Sequence, residues 1–215
     1  MRLNIFSCLT DKFPKETELD DIVRVMRSSP KLRALCERYR KFDAIGNKQV
    51  TNQIKRRETP SFVSSVLLYE GKGHRNIIGL TDLCYMDIDH LNEEQINEVM
   101  KSLSEDEHVV LAFRSMSGKG IHFFVKYRFK NMEQPQITTM SPKRMVETYF
   151  AVFNTLSLQY TNILHLSIDE SGRNAVQSSN ISYDEELYYN PQAIPYSLIY
   201  EPQKAGNKQA LLRME

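Results

Sequence analysis

Apolar positions recur at helical spacing in several stretches of the chain and at strand spacing in others. Leu19, Ile22, Val23 and Met26 form one helical stripe. Leu32, Leu35 and Tyr39 form a second behind Pro30, a residue suited to a first helical turn. A further short helix is expected within 43–57. Ile96, Val99, Met100 and Leu103 follow Asn92 and Gln95, a capping-box pair. Ser141-Pro142 opens a long helix with the core face Met145, Val146, Tyr149, Phe150, Phe153 and Leu156. Strands are expected at Leu3–Phe6, Ser61–Tyr69, Leu83–Ile88, Val109–Phe113, Ile121–Val125 and Ile163–Ile168, with a turn at Gly71-Lys72-Gly73 and a last strand and turn between Ser182 and Pro191.

Strands and helices are mixed without regular alternation, which favours an α+β sheet domain with helices on one face. The expected division is an N-terminal α/β unit at 1–60 packed on a core at 61–202, with a polar tail at 203–215.

Composition narrows the classes. The chain has 215 residues, 41% hydrophobic and 26% charged, which suits a folded globular protein rather than a disordered one. The 28 basic and 27 acidic residues leave a net charge of +1, so any surface for nucleic acid must be local. The best candidate holds Lys48, Lys55, Arg56 and Arg57, with no acid before Glu58. Cys8, Cys36 and Cys84 stand apart, unlike zinc-binding pairs, and read as thiols of a reducing cytoplasm. No apolar run approaches 18 residues, so a cytoplasmic protein without membrane contact is expected.

Candidate chemistry concentrates in two segments. In Tyr85-Met86-Asp87-Ile88-Asp89 the strand period of two puts both carboxylates on one face, Cα atoms roughly 6.5–7 Å apart. Carboxylates are the hard oxygen ligands that Mg²⁺ and Mn²⁺ take, usually with substrate phosphates. Ser115-Met116-Ser117-Gly118-Lys119-Gly120-Ile121-His122 offers hydroxyls, glycine backbone, an ammonium and an imidazole, the groups that cradle phosphate. It is not a P-loop: the spacing differs and a strand rather than a helix follows. Asp169, at the end of the Ile163–Ile168 stretch, is a third candidate carboxylate. Lys55, Arg56 and Arg57 are candidates for nucleic-acid phosphates, and Phe123, Phe124 and Tyr127 for stacking on bases.

Asp87-Ile88-Asp89, then Ser117-Gly118-Lys119-Gly120-Ile121-His122, then Ile168-Asp169 resemble, in order, the three motifs of the archaeo-eukaryotic primase and primase-polymerase superfamily. Lys55, Thr59-Pro60-Ser61-Phe62, Gly79-Leu80 and the segment from Ser182-Tyr183-Asp184 to Asn190-Pro191 are similar to its VirE N-terminal-like branch, found in mobile elements and phages of Bacteroidetes-type bacteria.

The resemblance implies a catalytic sheet related to the RNA-recognition fold beside an accessory N-terminal unit. It implies nucleotidyl transfer with two Mg²⁺ or Mn²⁺ ions on Asp87, Asp89 and Asp169, and a nucleoside triphosphate on Ser115, Ser117, Gly118, Lys119, Gly120 and His122. It further implies a single-stranded DNA template and a helicase domain or protein as partner. Where the branch carries an arginine this chain has Gln177; if that arginine binds nucleotide, either the nearby Arg173 substitutes or activity is weakened. Two other classes fit the same residues: a metal-dependent nuclease or nicking initiator, and a non-catalytic nucleotide- or nucleic-acid-binding module.

Overall fold

A computed structural model describes residues 1–132, 139–201 and 211–214. The elements in order are β1 (Arg2–Phe6), β2 (Lys15–Glu18), α1 (Leu19–Ser28), α2 (Pro30–Ala44), α3 (Lys48–Gln53), β3 (Ser61–Val63), β4 (Val66–Leu68), β5 (Ile77–Leu80), β6 (Leu83–Ile88), α4 (Glu93–Ser104), β7 (Val109–Arg114), β8 (Ile121–Phe129), α5 (Pro142–Leu164), β9 (Ser179–Asn180), β10 (Tyr188–Tyr189), β11 (Tyr196–Glu201) and β12 (Leu211–Met214). The architecture is mixed α+β.

β8 is the central strand. It pairs antiparallel with β7 on one edge; its other edge takes β6 antiparallel over residues 121–126 and then β11 in parallel over 127–129. Side-chain alternation separates two cores across this sheet. On one face Cys84, Met86, Ile88, Phe123 and Val125 pack under α4 and α5, through Ile96, Val99 and Leu103 and through Met145, Tyr149, Val152 and Leu156. On the other, Tyr85, Phe113 and Phe124 meet Leu3, Ile22, Met26, Leu32 and Phe62 of the N-terminal part. A second sheet, ordered β2-β1-β3-β9, therefore covers the face opposite α5, and it draws strands from both sides of residue 60.

Local chemistry accounts for the helix ends. Ser29 accepts from the Leu32 N–H with Pro30 opening α2, Asn92 and Gln95 close a full capping box on α4, and Ser141 accepts from the Arg144 N–H with Pro142 opening α5.

Two expectations are corrected, and one strand is added. The stretch Ile163–Ile168 is not a strand: α5 continues to Leu164 and stops at left-handed His165. Ser61–Tyr69 is two short strands that pair in different sheets, with Ser64 and Ser65 between them. Lys15–Glu18 is a strand the apolar pattern does not mark, because it is a polar outer strand pairing only β1. The expected polar tail lies largely outside the described residues.

Candidate active site

The register between β6 and β8 sets Asp87 directly opposite His122. Both project from the face shared by Tyr85 and Phe113, the side covered by the N-terminal part. The imidazole lies parallel to the Phe113 ring at 5.3 Å and is stacked on Tyr85 at 5.7 Å. Its Nδ1 meets the Tyr85 hydroxyl at 2.7 Å and the Ser179 hydroxyl at 3.2 Å. The Tyr85 hydroxyl donates to Asp87 Oδ2 at 3.2 Å, and burial raises its pKa well above 10, so its proton is retained.

Nε2 stands 3.9 Å from Asp87 Oδ1, which is buried and has no hydrogen-bond partner. A buried carboxylate oxygen without a partner calls for one, and either a cation or a proton on Nε2 would supply it. Asp89 sits just beyond β6 at the rim, where partial burial and the neighbouring Asp87 charge raise its pKa. The carboxylate pair with a buried orphan oxygen fits Mg²⁺ or Mn²⁺, ions that take one or two carboxylates and leave positions for substrate oxygens.

The third carboxylate stands differently. The Asp169 N–H donates to the Asp87 carbonyl at 2.8 Å, so the backbone is adjacent. Its side chain caps the turn Glu170–Arg173, and hydrogen bonding from the Ser171 side chain and then its N–H lowers its pKa. Among the described residues no three His, Cys, Asp or Glu side chains surround a common cation position.

The Ser115–Gly120 loop joins β7 to β8 beside the aspartates. Gly118 takes φ +75°, and Gly120 packs so closely that a Cβ there would lie 2.6 Å from the Ile88 carbonyl and 3.0 Å from Asp89 Oδ1. Ser115 and Ser117 join hydroxyls at 3.0 Å, and Ser117 also accepts from the Lys119 N–H. The Lys119 ammonium is on Asp43 of α2 at 2.8 Å, so it faces α2 rather than the aspartates.

Asp87, His122 and Tyr85 form one wall of a cleft of about 660 Å³. The same cleft is lined by Lys12, Lys55, Arg56 and Lys72. Lys55 and Arg56 lie in a π-helical turn, Ile54–Glu58, held by Asn180 Nδ2 on the Lys55 carbonyl at 2.9 Å and the Thr10 N–H on the Arg56 carbonyl at 3.3 Å. Lys72 donates to the Leu9 carbonyl and lies over the Phe6 ring, and its burial lowers its pKa.

Sequence candidates divide accordingly. Lys55 and Arg56 line the cleft and Arg57 does not. Arg173 is paired with Glu170 at 3.0 Å and lies over Phe150, on the α5 side; Gln177 and Asn174 line the cleft instead. Phe123, Phe124 and Tyr127 are buried core, which removes them as stacking surfaces. Tyr85, Lys12, Lys72, Ser179 and Asn180 belong to the site without standing out in the sequence pattern. Tyr85 shares the parity of Asp87 and could have been found from it; Ser179 and Asn180 reach the site only through the β3–β9 pairing. A separate cavity of about 520 Å³ lies at the other end of β6, lined by Asp82, Lys126 and Arg128.

The family model described as BT4734-like, N-terminal domain matches residues 54–189, well over half of the chain. The chain belongs to the BT4734-like N-terminal domain family. That span takes in the π-helical turn, both aspartates, the glycine loop, His122 and the Ser179–Asn180 strand of this BT4734-like domain. Neither the comparison with curated proteins nor that with solved structures returned a match. Among the described residues no helix is long and apolar enough to cross a membrane.

Proposed function

We propose that this BT4734-like domain is a metal-dependent nucleotidyltransferase of the archaeo-eukaryotic primase-polymerase kind, a DNA primase or primase-polymerase that acts in the cytoplasm in replication of a mobile element or phage. The observation that carries the reading is the unpartnered, buried Asp87 Oδ1 beside His122 in a cleft also lined by Lys12, Lys55, Arg56 and Lys72. Asp87 and Asp89 would hold Mg²⁺ or Mn²⁺, with Asp169 joining if its side chain leaves Ser171. When bound, the ions acidify the attacking 3′-hydroxyl and neutralise charge on the triphosphate.

The protein's own groups do the remaining work. His122, clamped between Phe113 and Tyr85, would donate an Nε2–H to a phosphate oxygen without reorganising. Lys55, Arg56 and Lys72 balance the polyanion, and the Gly120 backbone lets the loop close on the aspartate end. Single-stranded DNA, nucleoside triphosphates and a helicase are the partners this reading implies.

Incubating the chain with single-stranded DNA and labelled nucleotides, with and without primer, in Mg²⁺ or Mn²⁺, tests it. Wild type makes or extends oligonucleotides, while the folded Asp87→Ala, Asp89→Ala double variant loses about a thousandfold or more of that rate, the weight of the metal-bound charge stabilisation. Undiminished incorporation by the double variant overturns the mechanism, and shortening of the DNA moves it to a nuclease. One observation favours a non-catalytic binding module: Gln177 lines the cleft while Arg173 is engaged elsewhere. Bound but unreacted nucleotide in Mn²⁺ selects that reading.

A further inference from the structure

The chain leaves one large aromatic side chain in water next to this cleft. Phe13 is 72% exposed, and it directly follows the cleft-lining residues Leu9–Lys12. Its loop is fixed rather than slack. Asp11 takes the Ser7 N–H at 2.9 Å, the Ser7 hydroxyl at 2.7 Å and the Phe13 N–H at 3.0 Å. Thr10 is tied to the π-helical turn, and Lys72 to Leu9. Phe13 is thus presented to solvent on a fixed loop beside the cleft, a position from which its ring face is open to a ligand.

The charge around it selects that partner. Lys12 and Arg56, which line the cleft, form no ion pair or side-chain hydrogen bond among the described residues. The neighbouring carboxylate, Asp11, is spent on Ser7 and Phe13 amides. A preset exposed aromatic bordered by unpaired cations is the combination by which single strands are held: phosphates on the cations, a base face on the ring. Preorganisation keeps the ordering cost low.

We propose that Phe13 is a base-stacking platform for single-stranded nucleic acid entering the cleft, with Lys12 and Arg56 contacting the flanking phosphates. This rests on the reading of the cleft as a polynucleotide site and names where the strand lies. It also relocates the stacking surface from the buried β8 aromatics to the N-terminal loop.

The chain contains no tryptophan, so Phe13→Trp supplies a single local reporter. The full chain carrying it is titrated with oligo-dT and with an abasic oligonucleotide of equal length, without metal or nucleotide; Leu158→Trp, 64% exposed on α5, serves as control. Quenching by oligo-dT in Phe13→Trp alone is expected. In parallel, Phe13→Ala binds labelled oligo-dT about tenfold more weakly with an unchanged salt slope, while Lys12→Ala lowers the slope by about one. An unquenched reporter, or Phe13→Ala binding like wild type, overturns the proposal. Quenching without any nucleotide incorporation leaves the platform standing and removes nucleotidyl transfer; incorporation without quenching does the reverse.

Discussion

Gly120 is the residue on which the loop and the aspartate strand converge. Adding one carbon would drive it into the Ile88 carbonyl, a backbone atom that cannot swing aside. Gly120→Ala should therefore destabilise the fold by about 1–3 kcal/mol, the range for overpacking, measurable as a lower urea midpoint. Asp11 offers a check by pH. Hydrogen bonds from Phe13 and Ser7 hold its carboxyl down to about 2, below its unfolded value near 3.8. A depressed folded pKa contributes stability that is present above the unfolded value and is lost as pH falls toward 2. Wild type should melt about 2 °C above Asp11→Asn at pH 6, a small gap because the group is largely exposed, and the gap should close as pH drops below 4. At this scale the sequence was informative where parity decides: Asp87 shares the strand face of Tyr85 and stands opposite His122, whereas Asp89 lies beyond the end of β6. The destinations of Lys119 and Arg173 were not legible, because Asp43 and Glu170 compete for them and nothing in local spacing ranks a phosphate above a carboxylate.

Elements reveal where periodicity runs out. Ile163–Ile168 reads as a strand, but a short apolar run at a helix end carries no period of its own, and α5 absorbs its start. The capping box of α4 was legible because both partners lie within one turn. The π-helical turn was not, since its extra residue is fixed from outside: Thr59 bonds back to Ile54 through both its N–H and its hydroxyl, while Asn180 and Thr10 hold the carbonyls of Lys55 and Arg56. π-bulges recur at functional sites, and here the wide turn aims two cations into the cleft. Asn180→Ala should cost about 1 kcal/mol in stability for the lost bond and weaken single-strand binding severalfold, measured by chemical denaturation and by anisotropy with a labelled oligonucleotide.

Across the whole molecule, the site is closed by strands far apart in sequence. β3 sits between β1 and β9, so the first six residues and Ser179–Asn180 belong to one sheet, and Ser179 then reaches back to His122. Such long-range pairing forms late in folding, since loop closure must precede the contacts that reward it. During synthesis the aspartates and His122 leave the ribosome well before Ser179 and Asn180. The nascent chain consequently carries its reactive groups without the parts that hold them in place, and the cleft comes into being in a single late event, once the chain has grown past β9.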